Sequence, residues 1–202
     1  MSAPHRILGI LAMLPGMFLL RNRIAQYLML PGMVLAVAPF PPVLHSLAAP
    51  LLFGPALALA IPAIPMTTPI STGLKRIIAA APPLVFLQMV LGAAYRHKAI
   101  GVVWHLVGAM TVAAVLLIAC VLLLRQIPLE KAPRRAAGLL NAMLVIQVTL
   151  GMAALLLRML DANAAHLATA YLATAYLAAA HVTGGSLTFA ASLVLFRATQ
   201  RR

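Results

Sequence analysis

Only two acidic side chains, Glu130 and Asp161, occur among 202 residues, and the chain is 64% hydrophobic and 8% charged. A water-soluble domain of this length lacks the polar surface to cover so much apolar area. The chain must therefore place long apolar segments in lipid, where every backbone group has to be satisfied within a helix. The net charge of +13 arises from missing acids, not from clustered bases. Scattered Lys and Arg in loops fit membrane orientation and argue against a nucleic-acid partner.

A span needs roughly 20 apolar residues to cross about 30 Å of hydrocarbon. Seven candidates follow, at about 5–20, 24–43, 44–66, 74–95, 100–124, 136–158 and 168–196. The predicted fold is all-α, a polytopic membrane protein of about seven transmembrane helices. The second and third segments are rich in proline, so kinks are expected there. A basic connector from Arg125 to Arg135, containing Pro128 and Pro133, is a natural break. The apolar run after His5-Arg6 lacks a convincing small-residue cleavage site before Arg21 and is read as retained.

Alternating the spans places Arg21, Arg23, Lys75, Arg76, Arg125, Lys131, Arg134, Arg135, Arg197, Arg201 and Arg202 on one side. Arg6, Arg96, Lys98 and Arg158 fall on the other, 4 against 11. The richer side is assigned to the cytoplasm, which puts the C-terminus inside.

This topology sorts the histidines without having used them. His5, His45, His105 and His181 each open a segment running inward and share one depth. Each is followed three and four residues later by small residues, as in His105-Leu-Val-Gly108-Ala109 and His181-Val-Thr-Gly184-Gly185. Positions i, i+3 and i+4 share a helix face, so each imidazole projects beside a shallow patch where a flat group fits against backbone. Neutral imidazole is a good haem-iron ligand, and facing helices commonly hold such cofactors. The alternative is an interfacial histidine bonded to a backbone carbonyl or a lipid headgroup.

Leu87-Gln88-Met-Val-Leu91-Gly92 and Ile146-Gln147-Val-Thr-Leu150-Gly151 match at Gln, Leu and Gly, 59 residues apart. Both precede a histidine segment, so the repeat predicts two pseudo-repeated bundles. Plain helix packing at the glycines and interhelical hydrogen bonding by the glutamines are the alternatives. Cys120, the single cysteine, excludes an internal disulfide and reads as a packing residue. Arg96 is a candidate for gripping a carboxylate of a bound group, against an arginine snorkelling to headgroups. Lys98 and His166 read as loop residues, and Trp104, Tyr171 and Tyr176 as interfacial aromatics.

The stretch Leu87-Gln88-Met-Val-Leu91-Gly92-Ala-Ala-Tyr-Arg96-His97 resembles a Gln-x-x-Leu-Gly-Ala…Arg-His helix of the haem A synthase family of cytochrome oxidase assembly proteins. His105-Leu-Val-Gly-Ala and Ala180-His181-Val-Thr-Gly-Gly look like its later ligand helices, and His5-Arg6 and His45 are similar to its earlier ones. The resemblance covers most of the chain and is most specific from residue 84 onward. It implies that His5 pairs with His45 around one haem and His105 with His181 around another. It further implies a substrate half at 1–70, where haem O is oxidised to haem A, and a haem b half at 71–202. Its other implications are a bacterial inner-membrane location and partners among lipid, haem, haem O synthase or cytochrome oxidase subunits, with homo-oligomerisation left open.

The pattern also departs from the family. The family's first helix and its outer-loop cysteine pair have no counterpart, and Ser2 stands where the family carries a glutamate before its first histidine. Catalysis is therefore open. A catalytically silent bis-histidine haem b carrier or electron-transfer subunit is the alternative, and a membrane subunit without cofactor is the third reading.

Overall fold

A computed structural model describes residues 42–61, 66, 68–127, 130–161 and 168–199. Among these the chain forms five helices and no strand: α1 (Pro42–Ala60), α2 (Thr72–Arg96), α3 (Val102–Gln126), α4 (Lys131–Asp161) and α5 (Ala168–Ala198). The last four hold segments long and apolar enough to cross a bilayer, Thr72–Arg96, Val102–Gln126, Lys131–Leu160 and Leu172–Ala198. A helix of 25 residues spans about 38 Å, more than the hydrocarbon core requires. The chain is thus an all-helical membrane protein with four such helices among the described residues. The expected spans at 5–20 and 24–43 lie almost wholly outside them.

Local chemistry explains where the helices begin and end. Ser71 caps α2, its Oγ accepting from the Leu74 N–H at 3.3 Å. The helix ends in a tight turn at which the Ala99 N–H reaches back to the Ala94 carbonyl at 2.8 Å. Lys98 takes the left-handed conformation there, with φ of 59°, in the place a glycine usually fills. The helix α4 starts at Lys131, earlier than the expected 136. Pro133 falls in its first turn, where a missing N–H costs nothing, so the expected connector shrinks to a few residues. The segment expected at 44–66 is helical from Pro42 to Ala60, with Pro50 and Pro55 inside.

The core lies between α2, α3, α4 and α5. Ile78, Leu116, Leu123, Leu140 and Leu195 are fully buried and interlock with the small Ala119, Ala137 and Ser192. Small residues let helix backbones approach closely, which matters where lipid supplies no hydrophobic drive between helices. Cys120 is buried in the same layer, its thiol donating to the Ala137 carbonyl at 3.6 Å. Outward faces carry Val103, Val107, Met110, Val145 and Met152, an apolar surface suited to acyl chains. Leu116→Ala should therefore cost about 2 kcal/mol through the cavity it leaves. Leu117→Ala, at a half-exposed position facing outward, should cost well under half of that. Unfolding in detergent would read the difference.

The two ends of the bundle differ. At one end Lys75, Arg76, Arg125, Lys131, Arg134, Arg135 and Arg197 collect. There Arg197 donates to the carbonyls of Ala58 and Ile61 at the end of α1. The Thr68 N–H donates to Glu130 Oε1, and the Ser71 N–H to Gln126 Oε1 at 2.9 Å. One of the two acids is thereby committed to holding this end together. The opposite end carries Arg96, His97, Lys98, His105 and Arg158.

Candidate functional site

Four helices meet at the histidine end to build one cluster. His105 lies in the first turn of α3 and His181 in the middle of α5. Their ring centroids are 6.2 Å apart with the planes at 90°. Residues 76 positions apart in the chain are thus brought side by side.

Each imidazole rests in a notch made by a glycine of the preceding helix. A Cβ added at Gly92 would stand 3.0 Å from His105 Cε1, and one at Gly151 would stand 2.7 Å from His181 Cε1. Only glycine leaves room for a ring this close to helix backbone. Four residues before each glycine, a glutamine reaches the same histidine. Gln88 Nε2 donates to the His105 carbonyl at 2.9 Å and lies 2.9 Å from its Nδ1. His181 Nδ1 lies 3.1 Å from the Gln147 carbonyl oxygen, and Gln147 Nε2 is 3.4 Å from His181 Nε2. The amide oxygens in turn press against the glycine three residues beyond each histidine, Gly108 for Gln88 and Gly184 for Gln147. The paired motifs of the sequence therefore correspond to one contact set made twice: Gln88, Leu91 and Gly92 against His105 and Gly108, and Gln147, Leu150 and Gly151 against His181 and Gly184.

The tautomers follow from these contacts. With its Nδ1–H donated to the Gln147 carbonyl, His181 carries its lone pair on Nε2, which the Gln147 amide meets at a long 3.4 Å and which a ligand would have to take over. The Gln88 and Gln147 Oε1 atoms are buried and unpartnered. Such an acceptor costs about 1–3 kcal/mol unless a donor reaches it. The Gln88 amide donates to both the His105 carbonyl and Nδ1, which leaves the proton of that ring on Nε2; ligation through Nε2 would require that proton to leave.

Two further side chains complete the cluster, and neither was singled out from the sequence as part of it. Tyr95 lies parallel to His105 within 12°, centroids 6.1 Å apart, and the Arg158 guanidinium sits 5.2 Å from the Tyr95 ring centre. The signal was helical register. Tyr95 follows Gln88 by seven residues and Arg158 follows Gly151 by seven, two turns along the same faces. Arg96, the candidate grip, is exposed on the last turn of α2, and the guanidinium at the histidine cluster is that of Arg158.

His45 belongs to the first turn of α1, whose neighbouring Ser46 Oγ lies 2.9 Å from His97 Nε2. His5 and His166 lie outside the described residues, and so does any pairing of His5 with His45. Among the described residues no group of three or more His, Cys, Asp or Glu is placed to hold a metal ion. Two neighbouring imidazoles would suit a metal whose remaining ligands come from a planar macrocycle.

The spacing tests that fit directly. Two metal–nitrogen bonds of about 2 Å, with each ring centre about 1 Å behind its nitrogen, put the centroids of two axial imidazoles about 6 Å apart. The observed 6.2 Å agrees. Compared with known proteins, the chain matches no family model, no curated protein and no solved structure.

Proposed function

We propose that the chain is a membrane haem protein of the haem A synthase type, in which His105 and His181 would hold a haem b. The observation that carries this reading is the 6.2 Å separation of two imidazoles, each braced by a glycine notch and a glutamine. When bound, haem supplies one-electron chemistry at low-spin iron. The protein supplies the rest. Gly92 and Gly151 admit the rings, Gln88 and the Gln147 carbonyl hold Nδ1, and Arg158 and Arg96 offer cations at the outer edge for carboxylates.

The recurring contact set relates the two helix pairs of 71–202 to one another, and in this reading 1–70 contributes His5 and His45 to a second site for haem O and its product haem A. The concentration of Lys and Arg at one end supports a cytoplasmic position for that end and for the C-terminus, in a bacterial inner membrane. Partners in this reading are the lipid bilayer, haem O synthase and cytochrome oxidase subunits.

The electron-transfer or carrier reading is the alternative to the enzyme. Glu130 is engaged with Thr68 at the end opposite the histidines, so it serves no proton handling beside them. Purified protein reconstituted with haem b should show the sharp α and Soret bands of reduced low-spin haem, and a flat visible spectrum refutes haem binding altogether. Conversion of added haem O to haem A separates the synthase from the carrier.

A further inference from the structure

The perpendicular setting of the two imidazoles is held by the protein. We infer that Tyr95, clamped by Arg158, is a positioning residue that fixes the plane of His105 at right angles to that of His181. This rests on the assignment of both rings as axial ligands.

Each ring is constrained on independent sides. For His105 the constraints are Gly92 at Cε1, Gln88 at Nδ1, and the parallel face of Tyr95. For His181 they are Gly151 at Cε1 and the Gln147 carbonyl at Nδ1. Tyr95 comes from the last turn of α2, and Arg158 reaches it from the far end of α4. A cation over an aromatic face is attractive, so Arg158 resists rotation of the Tyr95 ring. Tyr95 in turn leaves His105 one favourable plane. The clamp thus runs from α4 through α2 to α3 and ends at the 90° angle with α5.

The angle has an electronic consequence. With haem bound, the π orbital of each imidazole ligand, perpendicular to its ring, would mix with one of the two iron dπ orbitals. Parallel rings act on the same dπ orbital and split the pair, whereas perpendicular rings act on one each and leave the two nearly equal in energy. Ligand orientation set by neighbouring groups is a general route by which proteins tune a bound metal.

The test is electron paramagnetic resonance of the full-length, detergent-solubilised chain loaded with ferric haem b. The wild type should give the strongly anisotropic low-spin signal of crossed imidazoles, with its lowest-field feature far downfield. Tyr95→Leu should keep its haem while that feature moves upfield toward the rhombic pattern of parallel rings. Tyr95→Phe should retain the wild-type signal, and Arg158→Gln should broaden it or shift it in the direction of Tyr95→Leu. A rhombic wild-type spectrum, or a Tyr95→Leu spectrum superimposable on wild type, overturns the inference. Arg158 is exposed, so its variant tests the clamp even if Tyr95→Leu fails to fold, and an unaltered signal there removes Arg158 from it. Failure of the ligand assignment itself reads differently, as wild-type protein that takes up no low-spin haem.

Discussion

His105→Ala and His181→Ala should each remove the low-spin haem signal, because either change leaves one imidazole where two are needed. The remaining ring would hold a five-coordinate iron, with high-spin absorbance and an affinity at least about 100-fold weaker, beyond what loss of a supporting hydrogen bond produces. The two single variants should resemble one another, and the double variant, with neither imidazole left, should hold no haem at this site. His97→Ala provides the control. That ring contacts Ser46 on α1 and lies outside the pair, so its haem-to-protein ratio should equal that of wild type. Haem content per chain, measured as the pyridine haemochrome, gives the readout. An undiminished ratio in either His105→Ala or His181→Ala would refute the pair.

The second large effect concerns the glycines against which the rings rest. In Gly151→Ala the new Cβ would stand 2.7 Å from His181 Cε1, closer than real carbon contacts allow. The obstacle is a ring held at Nδ1, so α4 and α5 must separate or the ring must swing away. Overpacking of this kind costs about 1–3 kcal/mol, and here it would also move a ligand. Gly92→Ala, with its Cβ at 3.0 Å from His105 Cε1, should follow in the same direction with a smaller loss. Gly138→Ala is the opposite case. Nothing lies within 4 Å of its added Cβ, and alanine inside α4 should gain about 0.5–1 kcal/mol from helix propensity. Melting temperatures in detergent, with haem content alongside, would establish the order Gly138→Ala above wild type, then Gly92→Ala, then Gly151→Ala. Equal stability and haem content in all three would show that the notches are mere packing.

Particular residues show how far the sequence could be read. The spans near 74–95, 100–124 and 168–196 correspond to α2, α3 and α5 within two residues, because lipid demands uninterrupted apolar runs and charged residues mark their ends. The start of α4 was misjudged because proline breaks a helix interior but suits a first turn, and sequence does not say which applies to Pro133. Gln88, Gly92, Gln147 and Gly151 stood out as a repeat, yet their use was ambiguous between packing and support of a ligand. Their contacts with His105 and His181 removed part of that ambiguity. Tyr95 and Arg158 stayed unread as site residues because their meeting depends on how α2 and α4 are rotated against each other. Arg96, next to Tyr95 in the chain, is exposed at the end of α2.

Hydropathy and charge are local properties, and they were enough to determine an all-helical chain in lipid with most of its bases gathered toward one end. The distance between two imidazoles is not local. It depends on the tilt, depth and rotation of α3 and α5, which side-chain packing around Leu116, Leu140 and Leu195 sets. Tertiary structure alone therefore decided that the His105 and His181 ring centroids lie 6.2 Å apart with their planes at right angles, with Tyr95 beside His105 and Arg158 beside Tyr95.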